Sequence, residues 1–156
     1  MKKTLTKIIE KIHETPLAKK QLKDIAKDPE RACWYARDVI GGRWPVAESA
    51  IAKDPYWAYR YAEYVIGGRW SVVESTIAKY ADWACLYARD IIGGRWSEAE
   101  KYIAKDPHYA YLYAKDVIGG RWLEAEPTIA KDPESAYAYA KNVLKRPWPE
   151  AGIDKL

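Results

Sequence analysis

Phenylalanine is absent from these 156 residues, and the aromatic content is carried by 8 Trp and 13 Tyr. Both side chains bury a large area while keeping a polar tip, so they suit a thin core whose rings all lie near solvent. Histidine is almost as scarce. Metal and acid–base sites need converging ligands, yet His13 and His108 stand far apart in the chain. His108 occupies a place held elsewhere by Glu30, Tyr56, Asp82 and Glu134, which reads as solvated surface. No metal site or cofactor is therefore expected. No apolar run approaches the ~20 residues that cross a bilayer. The basic start is broken by Glu10, Lys11, His13 and Glu14 before a secretory stretch can form. The expectation is a cytoplasmic protein with no membrane contact.

Cysteine is limited to Cys33 and Cys85, which lie 52 residues apart. If the chain stacks as argued below, that separation is two layers, or roughly 20 Å at ~10 Å per layer. A disulfide needs Cα atoms within about 7 Å, so both are expected as free thiols. Asn142, Gln21 and Met1 are the sole residues of their kinds. Such depletion beside abundant Lys, Arg and Glu is a pattern of thermostable proteins; copying one biased unit produces the same depletion.

What is present is a period. Ile25, Ile51, Ile77, Ile103 and Ile129 recur every 26 residues, as do Trp44, Trp70, Trp96, Trp122 and Trp148. Tyr35-Ala36 returns at 61, 87, 113 and 139 without an insertion. In four of the units Asp-Pro opens a helix, because Asp accepts hydrogen bonds from first-turn N–H groups and Pro tolerates the first helical place. Tyr80-Ala81 breaks this signal in the third unit, with Asp82 still charging the first turn. Ala32, Tyr35, Ala36, Val39 and Ile40 then fall at helical spacing. Gly41-Gly42 and its equivalents stop this helix A.

A second helix, B, is expected to start near Trp44. Ser71 and Ser97 each precede a Glu by three residues, the spacing of a capping box, and Pro127 predicts a bent or tightened start in the fourth unit. One unit cannot bury its own face, so neighbours must stack. The expected fold is all-α: a solenoid of about five helix-turn-helix repeats with an N-terminal capping helix. Its parts are a basic cap at 1–24, carrying a stripe of Leu5, Ile8, Ile9 and Ile12, repeats at 25–148 and a C-terminal cap at 149–156.

The unit KDPHYAYLYAKDVIGGRWLEAEPTIAKDP at 105–133 resembles short tandem repeats of bacteriophage and uncharacterised proteins, which read Y-A-x-D-V-I-x-G-R-W-P-E-A-E-x-x-I-A-x-D-P. The match spans 25–148. The resemblance implies a repeat fold and no reaction. Likeness to α-solenoids in general implies binding of other macromolecules, by analogy of fold.

Catalytic constellations are not found. No Ser has a His-Asp partner at a recognisable spacing, the thiols have no adjacent His, and the Gly-Gly pairs follow helices without the Lys-Ser/Thr of a phosphate loop. An enzyme, and with it a small-molecule substrate, is not expected. Arg43, Arg69, Arg95 and Arg121 form a row ahead of helix B. They could offer anion sites at helix N-termini, but their regular co-occurrence with Glu48, Glu74, Glu100 and Glu126 favours ion pairs. Residues 1–27 carry +5 and the remainder −1, so the basic stripe of a nucleic-acid-binding solenoid is confined to one end.

The candidate partner-binding surface is the strip of helix A that varies between units. It comprises Trp34, Trp57, Arg60, Tyr64, Trp83, Leu86, Tyr109 and Leu112, types enriched in binding hot spots. The residues alone leave open whether the strip is exposed or packs between adjacent A helices. The expected partner is a protein or a second copy of the chain, with nucleic acid as the alternative.

Overall fold

A computed structural model of the chain describes residues 15–156; the expected stripe of Leu5, Ile8, Ile9 and Ile12, and His13, lie outside the described residues. Helix α1 (Pro16–Lys27) is capped by Thr15, whose hydroxyl accepts from the Ala18 N–H. Five A helices follow: α2 (Pro29–Tyr35), α4 (Pro55–Tyr61), α6 (Ala81–Tyr87), α8 (Pro107–Tyr113) and α10 (Pro133–Tyr139). Between them stand the B helices α3 (Pro45–Ile51), α5 (Ser71–Ile77), α7 (Ser97–Ile103) and α9 (Glu126–Ile129). The chain is an all-α stack of repeated helix pairs, and no strand is formed by the described residues.

Asp28, Asp54, Asp106 and Asp132 cap α2, α4, α8 and α10, each accepting from the N–H three residues on at 2.8–3.1 Å. Tyr80 stands at the same place before α6 and makes no side-chain cap. Each A helix then continues for five residues in a wider π-type turn, Ala36–Ile40 in the first unit. The sequence pattern does not announce this widening. Gly41 ends it at φ 69°, and the Ala36 carbonyl accepts from the N–H groups of both Gly41 and Gly42.

One expectation about helix B is corrected. Ser71 and Ser97 are not N-caps; Trp70 and Trp96 hold the capping places with no side-chain bond, and the serines are the first helical residues. The capping box fails because Glu74 and Glu100 are held by an Arg and a Tyr instead. In the fourth unit Pro127 shortens the helix to Glu126–Ile129, with turns before it, as a ring without an N–H requires.

The core runs the length of the stack. Tyr61, Tyr87, Tyr113 and Tyr139 are fully buried, as are Ile51, Ile77, Ile103 and Ile129, among alanines at the equivalents of Ala32, Ala36 and, save for Val73, Ala47. These small residues let helices approach while the large ones fill between layers. Consecutive A helices pack on one another and each packs on its own B helix, whereas consecutive B helices beyond α1 and α3 make little direct contact. The stack is therefore tight on its A side and grooved on its B side. At the C-terminal end a short turn, Pro149–Ala151, replaces helix B, and Trp148 and Ile153 exchange backbone hydrogen bonds at 2.7 and 3.0 Å.

Candidate functional site

Two arrays of polar and aromatic side chains run along the stack, and they differ in kind. The first is identical at four junctions. Arg43 forks onto Glu48, Arg69 onto Glu74, Arg95 onto Glu100 and Arg121 onto Glu126, each through Nε and Nη2 at 2.6–2.9 Å. Into each pair reaches a tyrosine from the next repeat. The hydroxyls of Tyr61, Tyr87, Tyr113 and Tyr139 donate to Glu48, Glu74, Glu100 and Glu126 at 3.0–3.2 Å. The same hydroxyls accept from the backbone N–H of Trp44, Trp70, Trp96 and Trp122 at 2.6–2.8 Å. Each ring lies 5.1–5.3 Å from the Trp of its own repeat, so every tyrosine ties one layer to the next.

The phenol of the following unit thus takes the backbone N–H of the Trp that precedes helix B. The placement also fixes the charges. The Arg hydrogen bonds, then the Tyr hydrogen bond, hold the carboxyls of Glu48, Glu100 and Glu126 below the usual carboxylate range, and Glu74 is lowered by Arg69 in the same way. Burial pushes Tyr61, Tyr87 and Tyr139 up to about 12 and raises Tyr113 likewise. The four arginines thus face bidentate carboxylates, and an external anion would have to displace one to bind there.

The second array changes from unit to unit and lies on the A side. Trp34 meets Trp57 edge-on at 5.7 Å, and Trp83 is contacted by Tyr56 at 4.9 Å and Tyr59 at 6.3 Å. Trp57, Trp83, Leu86, Tyr109 and Leu112 are half-buried and packed against the core. Much of the strip thus forms a seam between adjacent A helices. The rest of the strip lies in the first two repeats, with Trp34 and Arg60 half-buried and Tyr64 exposed. Arg37 stacks 4.0 Å above Trp34, Arg60 stacks 4.3 Å above Tyr64, and Arg37 reaches Tyr64 at 5.9 Å. Tyr64 keeps 41% of its surface in solvent.

Residues outside the sequence-based set complete the seam. Tyr59 donates to Asp90 Oδ2 at 3.0 Å, and Asn142 Nδ2 donates to Tyr111 at 2.8 Å, each bond reaching 31 residues along the chain. Tyr59 and Tyr111 alternate with Cys33 and Cys85 at one position of the unit, and that alternation was the available signal. Both cysteines are free and buried, with burial pushing their thiols up to about 11 and about 12. Such thiols are poor nucleophiles. Among the described residues no group of three His, Cys, Asp or Glu side chains is placed to hold a metal ion, and no helix is long and apolar enough to cross a membrane. Comparison with family models, with curated proteins and with solved structures returns no match.

Proposed function

We propose that the chain is a non-enzymatic repeat scaffold that engages a protein partner, or another copy of itself, through the A side of its first two repeats. The observation that carries this reading is a division of labour. The Tyr, Trp, Arg and Glu that recur from unit to unit are engaged in joining layers, while most of the Trp and Tyr that vary lie on the A side, where Tyr64 stays exposed beside Arg37 and Arg60. Trp, Tyr and Arg are the side chains that most often dominate binding energy at interfaces. Trp34, Trp57, Arg60 and Tyr64 lie in or beside this cluster; Trp83, Leu86, Tyr109 and Leu112 extend the seam and shape its edge.

The test compares the wild type with the double variant Arg60→Ala/Tyr64→Ala. Sedimentation equilibrium measures self-association, and an affinity capture from cells of the source measures partners. The expected result is an association present in the wild type and lost in the variant, with helical circular dichroism unchanged. Equal behaviour of the two proteins in both assays sinks the reading. The alternative of nucleic-acid binding would rely on the N-terminal lysines, since the Arg row faces carboxylates; it requires an affinity that falls steeply with salt.

A further inference from the structure

We propose that the groove between α1 and α3 is a binding site for an oligophosphate anion. Comparable grooves open where consecutive B-side elements diverge, and three of them among the described residues differ in charge. The groove between α5 and α7 sets Glu74 and Glu98 against Lys79 and Lys101. The groove between α9 and the C-terminal turn is lined by Arg121, already paired with Glu126, and by Glu150. The first groove, of about 490 Å³, has Lys23, Lys27 and Lys53 in its wall and, among the described residues, no carboxylate. Ser49 adds a hydroxyl, and Ala50 and Val46 form part of an apolar floor.

The acids nearest in sequence leave this charge largely uncompensated. Asp24 reaches Lys27 only at 3.9 Å, with both side chains mostly in solvent. Asp28 and Asp54, which follow Lys27 and Lys53, are turned onto the backbone N–H groups of Arg31 and Trp57 as helix caps. Lys23 and Lys27 stand one turn apart on α1, and Lys53 lines the same groove from the turn that follows α3. Neighbours at that spacing lie about 5–6 Å apart at Cβ. Such a line suits two or more linked phosphates better than a single one.

Lysine presents point charges to phosphate oxygens, without the planar fork that reads carboxylates. The lining holds no aromatic ring to stack a base, so the phosphates carry the recognition and the group attached to them goes unread. This site is independent of the A-side interface.

Isothermal titration with inorganic tripolyphosphate tests the proposal on the full chain. One ligand per chain is expected, with ATP and GTP matching each other. Lys23→Gln/Lys53→Gln should weaken binding roughly tenfold or more, as loss of hydrogen bonds to a charged ligand does. Lys79→Gln/Lys101→Gln removes the same charge from the groove between α5 and α7 and should leave binding unchanged. Thermal melts followed by circular dichroism check that both variants fold. The proposal is overturned if tripolyphosphate does not bind at millimolar concentration, or if both double variants weaken it equally, which would report net charge alone. It is also overturned if a single-stranded oligonucleotide binds through these lysines while tripolyphosphate does not.

Discussion

The two sides of each junction solve the same problem differently. On the B side, one phenol, one carboxylate, one guanidinium and one backbone N–H meet in the same geometry four times. On the A side, the layers are joined by Trp34 against Trp57, then by Tyr56 and Tyr59 against Trp83, then by Tyr111 with Asn142. A contact that recurs unchanged is tuned to the frame, since every copy must suit both neighbours. A contact that changes from unit to unit is free to serve something outside the frame, provided it still fills its space. The two seams should therefore differ in how much stability each carries and in how that stability depends on pH.

Alkali should give the largest separation. The phenols of Tyr61, Tyr87 and Tyr139 rise from the ordinary ~10 of an exposed tyrosine to about 12 through burial. A raised folded-state value favours the protonated form, so their contribution is complete below pH ~10 and is lost as pH climbs toward about 12. The thiols of Cys33 and Cys85, raised to about 11 and 12, add to the same limb. The phenol share is read from substitutions: Tyr87→Phe should flatten the alkaline limb of urea stability, whereas Tyr137→Phe, an exposed tyrosine outside the lock, should leave it in place. Identical limbs in the two variants would break the comparison. At the acid end the sign reverses. The lowered carboxyls of Glu48, Glu74, Glu100 and Glu126 contribute above their ordinary range, and that contribution is lost as pH falls through their folded-state values.

Truncation separates the seams next. Tyr87 is fully buried between layers, so Tyr87→Ala should cost about 3–5 kcal/mol, as large buried aromatics do. Trp83 is half-buried, and Trp83→Ala should cost roughly half that, a figure scaled from the same series. Urea midpoints compare them directly. A Trp83→Ala loss equal to that of Tyr87→Ala would make the A-side seam part of the core and weaken its reading as a binding surface.

The period, the helix pairs, the Asp-Pro starts and the Gly-Gly stops were legible in the sequence because each rests on backbone chemistry local to a few residues. The capping-box reading of Glu74 and Glu100 failed for the opposite reason. Their spacing to Ser71 and Ser97 imitates a capping box, while the acceptor for the N–H of the capping residue, Trp70 or Trp96, is a phenol 17 residues further along the chain. The Arg–Glu pairing could be read from co-repetition, but the tyrosine joining it could not. Tyr at that position also fits a simple core stripe, and nothing in the spacing reveals where its hydroxyl points. The variable strip was recognised as a strip, yet its burial depends on the distance between A helices, which no single helix encodes.

Removing only a hydroxyl refines the same contrast. Tyr87→Phe keeps the ring on Trp96 but leaves the buried Trp70 N–H without its acceptor, a loss of about 1–3 kcal/mol. Tyr59→Phe removes a bond to Asp90, whose carboxylate keeps both of its bonds from Arg89, so the loss should stay below about 1 kcal/mol. Equal losses in chemical denaturation would mean that the hydroxyls matter alike on both sides, and that the B-side lock owes its regularity to ring packing alone.

The smallest effect belongs to the last repeat, where the frame itself departs from its pattern. Lys145 stands where Gly41, Gly67, Gly93 and Gly119 end the other A helices, and it adopts the same left-handed turn at φ 55°. The turn closes in the same way, with the Arg146 N–H donating to the Ala140 carbonyl as Gly42 donates to Ala36. A side chain in this conformation costs roughly 1–2 kcal/mol relative to the right-handed region, part of which glycine returns through its greater freedom when unfolded. Lys145→Gly should therefore stabilise the fold by about 0.5–1 kcal/mol. Gly93→Ala is the mirror experiment. A Cβ there meets nothing within 4 Å, so its cost is backbone strain alone and should match the Lys145→Gly gain in size. A large loss at Gly93 beside no gain at Lys145 would mean that interior turns carry strain the terminal turn has relaxed. The end of the stack would then be mechanically softer than its middle, although the hydrogen bonds of the two turns are the same.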